Sequence, residues 1–226
     1  NPEYIKLNRI YIVEKDKNKN VSATPLPQMR LKKDNLNAYQ PILDALQIPS
    51  FNIYNDKEKI ILVEGIYDKY VIQLFCNIDS ETAILPGTCA DSIINNIQYL
   101  NGFSKRYIAI WDNDDEGREK YSKASKVFGD YESQKFDKLP LRERQNRKME
   151  QMFENDDLSK IRNLLKLPED SGYEKIILTL FHSRGKRIKS INSISEDTKS
   201  NFKILDQIIK KRFEASEKIE SDDDMD

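Results

Sequence analysis

Two uninterrupted apolar runs stand out in the hydrophobic pattern of this chain, and each ends in acidic residues followed by glycine. The first run, Ile60–Val63, leads into Glu64-Gly65. The second, Tyr107–Trp111, leads into the segment Asp112-Asn-Asp-Asp-Glu-Gly117. A short apolar run bounded by charge and glycine is typical of a strand that is buried on both faces of a parallel sheet.

Strand and helix patterns alternate through this part of the chain. Strands are predicted at Ile60–Val63, Thr82–Leu85 and Arg106–Trp111, with a weak edge strand at Asp130–Phe136. Helices are predicted between them at Tyr67–Asn77, Asp91–Leu100 and Glu116–Phe128. This alternation predicts an α/β fold with a parallel sheet of about four strands flanked by helices. Ligands bind at the carboxyl edge of such sheets, so we expect the two acidic turns to meet there.

The sequence divides into a leading section, this sheet domain at 57–140, a helical section and a tail. Residues 1–56 contain a short strand pattern, Arg9–Val13, and a helix pattern, Asn37–Leu46, and are expected to be a connector. The chain begins at Asn1 rather than methionine, so we expect this start to be a boundary within a longer protein.

Helical periodicity continues through residues 141–215, which we expect to form a C-terminal helical subdomain. The pattern is interrupted at Pro168–Gly172 and by a basic turn at Ser183–Lys189. Ser195-Glu-Asp-Thr198 has the form of a cap for the last helix. Residues 216–226 are polar and acidic, and we expect them to be disordered.

Composition limits the class of protein. With 226 residues, 38% hydrophobic and 33% charged, the chain can bury one core of domain size and a smaller appendage. No run is long enough to cross a bilayer and no secretory signal is present, so we expect a cytoplasmic protein without a membrane partner. Cys76 and Cys89 make no disulfide framework, and no cysteine or histidine spacing suits zinc.

The acidic turns predict a divalent-metal site. Asp112 and Asp114 lie two residues apart on an extended segment and therefore point to the same side, with Asp115 and Glu116 adding charge. Carboxylates packed this closely repel one another unless a cation offsets the charge. Hard oxygen ligands favour Mg²⁺ or Mn²⁺ over zinc.

Leu62-Val-Glu-Gly-Ile-Tyr-Asp68, followed by Trp111-Asp-Asn-Asp-Asp-Glu-Gly117, resembles the Toprim domain, a metal-binding module shared by topoisomerases, bacterial primases and several nucleases. The chain most resembles the carboxy-terminal part of the overcoming-lysogenisation-defect (OLD) endonucleases, in which an ABC-type ATPase precedes a Toprim nuclease. The resemblance covers roughly residues 57–213. Three further positions carry it: Asp68 four residues after Glu64, Glu150 in Lys148–Phe153, and Lys175 at the start of a helix.

A metal-dependent DNA endonuclease with a Rossmann-like Toprim fold is the function that this resemblance implies. Two metal ions can activate water, neutralise the phosphoryl oxygens and stabilise the leaving group in phosphodiester hydrolysis. We assign Glu64 and Asp68 to one Mg²⁺ or Mn²⁺ ion, Asp112 and Asp114 to a second or bridging position, and Glu150 as a further ligand. Glu64 could instead act as general base if it does not bind metal.

Several lysine and arginine residues are expected to contact the DNA substrate. Lys175 is our candidate for the cation that offsets charge on the scissile phosphate, with Lys186 as the substitute candidate. Phosphate contacts with DNA are expected from Lys186, Arg187 and Lys189, and from the segment Arg142–Lys148.

The resemblance also implies partners. No Gly-x-x-x-x-Gly-Lys-Ser/Thr loop occurs in the 226 residues, so any ATP would bind in an ATPase domain upstream of Asn1 in the same polypeptide. A homodimer or higher homo-oligomer is expected, acting with a possible defence-system partner against phage. Two alternatives remain open: a Toprim enzyme of the primase or topoisomerase type, and a non-catalytic module that binds nucleic acid.

Overall fold

A short antiparallel hairpin is the described part of the leading section. In this computed structural model, strand β1 (Tyr11–Lys15) pairs with β2 (Val21–Pro25). The predicted strand at Arg9–Val13 overlaps β1, whereas the predicted helix at Asn37–Leu46 lies outside the described residues, which are 11–15, 21–25, 57–87, 90–101, 105–140 and 147–223. The chain divides into two compact units, residues 1–57 and 58–226.

The second unit is built on a four-stranded, wholly parallel sheet. Its strands are β3 (Lys59–Val63), β4 (Thr82–Pro86), β5 (Arg106–Trp111) and β6 (Phe136–Lys138), in the order β4-β3-β5-β6. Successive residues of β3, β4 and β5 are buried regardless of which face they point to. Helices therefore cover both faces of the sheet, and the predicted α/β class is confirmed.

Helices connect the strands and then form the rest of the unit. They are α1 (Ile66–Phe75), α2 (Ala90–Asn101), α3 (Asp115–Ser133), α4 (Asn155–Leu165), α5 (Tyr173–His182), α6 (Arg184–Asn192) and α7 (Glu196–Asp223), with a 3₁₀ turn at Met149–Met152. Among the described residues, no helix combines the length and the apolar content that crossing a membrane requires.

The sheet and the C-terminal helices share one hydrophobic core. Ile61 and Ile108 of the central strands belong to the same buried cluster as Ile177 of α5 and Leu205 of α7. Rings continue this packing, since Phe75 of α1 stacks on Phe202 with centroids 5.0 Å apart. The helical section is thus packed into the fold of the sheet within a single unit.

Two predictions around the last strand and the last helix are wrong. The edge strand predicted at Asp130–Phe136 begins only at Phe136, because α3 continues to Ser133 past a kink at Gly129, whose φ is +79°. The disordered tail predicted from residue 216 is helical to Asp223. Ser216 is buried and Glu217 pairs with Arg106 at 3.0 Å, so contacts with the body extend α7 beyond its polar sequence.

Helix prediction also fails at two basic segments. The basic turn predicted at Ser183–Lys189 is helix α6 from Arg184 onward, since the Ser183 carbonyl accepts the backbone N–H of Lys186 and Arg187. The helical periodicity expected from residue 141 onward gives, before Asn155, only the 3₁₀ turn Met149–Met152 among the described residues. The cap predicted at Ser195–Thr198 is confirmed, because Ser195 Oγ accepts the Thr198 N–H at 3.2 Å.

Candidate functional site

Glu64 and Asp112 meet where the two central strands end. β3 and β5 are parallel neighbours with Leu62 opposite Ala109, so the residues after each strand emerge at the same edge. The backbone N–H of Asp112 donates to Glu64 Oε1 at 3.0 Å. The side chain that follows β3 is therefore hydrogen-bonded to the backbone that follows β5. The two acidic turns meet at one edge of the sheet, as expected from the sequence.

Asp68 joins this edge from the first turn of α1. Its Oδ2 accepts the backbone N–H of Gly65 at 2.8 Å, which holds the carboxylate over the turn between β3 and α1. Burial, together with the charges of Glu64 and Glu150, raises the pKa of Asp68 to about 7, although the hydrogen bond from Gly65 acts in the opposite direction. This carboxylate is thus close to others and poorly solvated.

Glu64 and Asp112 are also carboxylates whose pKa is raised by burial and by neighbouring negative charges. Burial raises the pKa of Glu64, and the charge of Asp114 adds to the effect. Burial, followed by the charges of Asp68, Glu64 and Asp114, raises the pKa of Asp112 to about 8. No described residue donates a hydrogen bond to the Asp112 carboxylate. Within the described part of the chain, the carboxylate oxygens at this edge therefore outnumber the hydrogen-bond donors that satisfy them.

Asp114 is held between a helix N-terminus and a lysine. It is the N-cap of α3, where its Oδ1 accepts the Gly117 N–H at 2.8 Å. Its Oδ2 lies 3.3 Å from Lys148 Nζ. Although burial opposes ionisation, the N–H of Gly117 and the ammonium of Lys148 outweigh it and lower the pKa of Asp114.

Lys148 is the site residue that sequence reasoning missed in this role. Its hydrogen bond to Asp114 raises its pKa, and the charges of Asp112 and Glu150 add to this. The sequence placed Lys148 only in a stretch of candidate phosphate contacts. Its position two residues before Glu150 was the available signal, but many lysines in the chain compete with it.

A tight turn at Gly117 brings the end of β5 against the start of α3. A Cβ atom at this position would lie 2.1 Å from the backbone oxygen of Asp112 and 3.0 Å from Glu64 Oε1. Real Cβ atoms do not come that close to a carbonyl oxygen, so only glycine fits here without movement. The same close approach keeps the α3 N-terminus beside the carboxylates.

A backbone bridge brings the segment containing Lys148 and Glu150 to this edge. Asn113 and Arg147 exchange two backbone hydrogen bonds, of 2.7 and 3.0 Å. The buried guanidinium of Arg147 also donates through Nε to the carbonyl of Gln151 at 3.2 Å. The 3₁₀ turn that carries Glu150 is therefore fastened directly to the Asp-x-Asp segment.

Glu150 completes a group that we call the acidic cluster, namely Glu64, Asp68, Asp112, Asp114 and Glu150. Its own side chain is exposed, yet its charge contributes to the raised pKa of Asp68. Lys175 does not join this group in the described structure. It is exposed in the first turn of α5, and no ion pair links it to a described carboxylate.

The predicted DNA-contacting residues lie on α6. Lys186 donates to the carbonyl of Leu165 at 3.3 Å, and Arg187 donates to the carbonyl of Phe181 and lies over its ring. These two side chains therefore hydrogen-bond carbonyls at the ends of α4 and α5. Lys189 is exposed.

The donor chemistry of the acidic cluster suits a hard divalent cation, although the side chains are not gathered around one point. In the described ranges, no three histidine, cysteine, aspartate or glutamate side chains converge closely enough to hold a metal ion. Glu64 and Asp68 each use one oxygen on a backbone N–H, which leaves a second oxygen for a ligand. Comparisons with protein-family models, curated proteins and solved structures find no match for this chain.

Proposed function

We propose that residues 58–226 are a Toprim-type nuclease module that cuts or nicks duplex DNA by metal-dependent phosphodiester hydrolysis. The observation that carries the proposal is the hydrogen bond from the Asp112 N–H to Glu64 Oε1. It places the two sequence motifs against each other at the carboxyl edge of a parallel sheet, which is where α/β folds bind their ligands.

The electrostatics of the acidic cluster support a role in binding cations. Three of its members, Glu64, Asp68 and Asp112, have a raised pKa because they are buried beside one another. Such an arrangement costs folding free energy unless a cation offsets it, and perturbed carboxylates of this kind are concentrated at functional sites. Function is the simplest reason for a fold to keep them.

Mg²⁺ or Mn²⁺ is the cation that these donors fit, since all are hard carboxylate oxygens. In this proposal Glu64, Asp68, Asp112, Asp114 and Glu150 would hold the ions. A bound divalent cation supplies Lewis acidity toward a phosphodiester. Among the described lysines, Lys148 lies 3.3 Å from Asp114, and we propose it, in place of Lys175, as the lysine that contacts a phosphate beside the cluster.

The wider assignments of the proposal come from the resemblance. They are membership of the OLD family, an ABC-type ATPase upstream in the same polypeptide, assembly into homodimers or larger homo-oligomers, and a part in defence against phage. Lys189 and the helix that carries it remain candidate contacts for the DNA backbone.

A second candidate function is a Toprim-like module that binds nucleic acid without cutting it. Two observations favour it: the described carboxylates do not converge on one point, and Lys148 already neutralises part of their charge. On this alternative the ammonium of Lys148 would be a permanent structural counterion, and a divalent cation would have no effect on stability.

Cleavage of supercoiled plasmid in the presence of Mg²⁺ or Mn²⁺ tests the proposal. The chain is expected to convert the plasmid to nicked or linear DNA, and EDTA is expected to prevent this. Asp112→Asn should abolish cutting and retain DNA binding, because it removes charge but keeps shape. The matched control is Asp130→Asn, an exposed aspartate on α3 outside the cluster. Binding without cutting by the unmodified chain would favour the second candidate.

A further inference from the structure

Tyr173 carries a buried hydroxyl that has no hydrogen-bond partner in the fold. It is the first residue of α5, and its ring packs edge-on against Phe153 with centroids 6.3 Å apart. The hydroxyl oxygen is buried, and no described donor or acceptor bonds to it. Buried hydroxyls are almost always bonded, so one that is not calls for an explanation.

The surroundings of this hydroxyl indicate what it serves. Burial raises the pKa of Tyr173 well above its usual value, and the next causes are the charges of Asp68, Glu150 and Asp112. These three carboxylates come from three different parts of the chain: the first turn of α1, the 3₁₀ turn and the end of β5. Phe153, against which the Tyr173 ring packs, donates its backbone N–H to the Glu150 carbonyl at 3.4 Å. The Tyr173 ring therefore lies next to the 3₁₀ turn that carries Glu150, and the charges of the acidic cluster reach its hydroxyl.

The Tyr173 hydroxyl can donate a hydrogen bond and the carboxylates of the cluster can accept one, yet no such bond forms in this conformation. An ionised carboxylate can only accept hydrogen bonds, while a phenol can donate one. Asp68 uses Oδ2 on Gly65, and its other oxygen receives no hydrogen bond from a described residue. A hydrogen bond from the Tyr173 hydroxyl to this oxygen would give both groups a partner.

We propose that Tyr173 is a positioning residue of the acidic cluster, whose hydroxyl donates a hydrogen bond to the Asp68 carboxylate when the cluster holds a divalent cation. The inference rests on the proposed function, because it requires the cluster to bind such a cation. Hydrogen bonds from outside the ligand set orient metal-ligating carboxylates, and their loss typically weakens metal affinity about 10- to 100-fold.

If Tyr173 served only to pack against Phe153, its substitution would have a different effect from the one that the proposal predicts. Its ring would be the functional part, and phenylalanine would replace it without effect on metal binding. A hydroxyl that positions Asp68 gives the opposite pattern in Tyr173→Phe: weaker cation binding, combined with unchanged or higher stability when no cation is present, because an unpaired buried hydroxyl is removed.

The experiment measures thermal unfolding in EDTA and Mn²⁺ affinity by calorimetry for the full chain, Tyr173→Phe and Tyr121→Phe. Tyr121 is the matched control, an aromatic residue on α3 whose ring packs on Trp111. We expect Tyr173→Phe to keep or raise the melting temperature in EDTA and to weaken Mn²⁺ binding about tenfold. Tyr121→Phe should leave Mn²⁺ affinity unchanged.

Three outcomes would overturn the inference. If Tyr173→Phe melts at a lower temperature in EDTA, the hydroxyl already has a partner within the fold. If its Mn²⁺ affinity equals that of the unmodified chain, the hydroxyl does not position a ligand, and the proposed function is unaffected. If the unmodified chain itself binds no Mn²⁺, the proposed function fails and the role of Tyr173 fails with it.

Discussion

The ammonium nitrogen of Lys148 lies 3.3 Å from Asp114 Oδ2, so the acidic cluster includes a cation supplied by the protein itself. The charges of Asp112 and Glu150 also act on this ammonium. A divalent cation entering the cluster would meet a positive charge already in place, and like charges repel. Because the side chain of Lys148 is 54% exposed, it has room to move away.

Lys148→Met is therefore expected to bind Mn²⁺ more tightly than the unmodified chain. An exposed ion pair is worth up to about 1 kcal/mol, which corresponds to a gain of about threefold to fivefold in affinity. Calorimetric titration at pH 8.5 measures it. Lys175→Met is the control, since Lys175 has no described ion pair with the cluster and should leave affinity unchanged. Weaker binding by Lys148→Met would mean that Lys148 helps to hold the ligands.

The same pair of variants distinguishes the two candidate lysines in catalysis. If Lys148 contacts the scissile phosphate, Lys148→Met should lose plasmid cutting although it binds metal more tightly. Lys175→Met should then cut normally, which would correct the sequence-based assignment. Loss of cutting in Lys175→Met alone would restore Lys175 as the cation that offsets phosphate charge.

Stability without metal is expected to fall as pH rises from about 5 to about 8. Asp68 and Asp112 have a folded-state pKa of about 7 and about 8, against 3.8 for the ordinary group, so the folded state binds more protons than the unfolded state across this range. Stability then decreases with pH, because each proton released leaves repulsive charge in the fold. Urea unfolding midpoints in EDTA at pH 5 and pH 8 measure this.

Two additions sharpen the pH experiment. Asp112→Asn cannot ionise at position 112, so its midpoint should change less between the two pH values. Mg²⁺ should raise the midpoint at pH 8 and have little effect at pH 5, because a cation binds the deprotonated carboxylates of the folded state. A urea unfolding midpoint that Mg²⁺ does not change at pH 8 would favour the non-catalytic alternative.

Gly117→Ala is expected to damage both fold and site. The new Cβ would lie 2.1 Å from the Asp112 carbonyl oxygen and 3.0 Å from Glu64 Oε1, so the turn after β5 must move. Forced overpacking of this kind costs about 1–3 kcal/mol, and cutting should fall with the displaced carboxylates. Gly185→Ala is the control: it lies in α6 with open space around it, where alanine favours the helix.

Local hydrophobic patterns were enough to predict the central strands, whereas positions that depend on contacts between distant segments could not be predicted from the sequence. The buried runs at Ile60–Val63 and Tyr107–Trp111 predicted two central strands, and parallel topology then placed Glu64 beside Asp112. Lys148 reaches the cluster only because Arg147 bridges to Asn113, a pairing between segments far apart in sequence. No periodicity encodes such a bridge, so the sequence alone does not distinguish Lys148 from Lys175 as the lysine of the site.

The start of α7 supplies a prediction that is independent of the metal site. Asp157, on α4, is buried and accepts hydrogen bonds from the hydroxyl and backbone N–H of Ser195 and from Thr198 Oγ1. Burial opposes its ionisation, but these bonds and the ammonium of Lys160 outweigh it and lower the pKa of Asp157 to about 2. The ionised carboxylate therefore fastens α4 to the capping turn of α7.

Because the folded-state pKa of Asp157 is lower than the ordinary 3.8, its contribution is fully present above about pH 4 and is lost as pH falls through about 2. A shift of this size corresponds to about 2 kcal/mol. Asp157→Asn should thus lower the free energy of unfolding by about 2 kcal/mol at pH 7, and less at pH 2. Asp156→Asn, at an exposed neighbouring position, should change it little. Equal unfolding free energies for Asp157→Asn and the unmodified chain at pH 7 would mean that the carboxylate charge does not stabilise this junction.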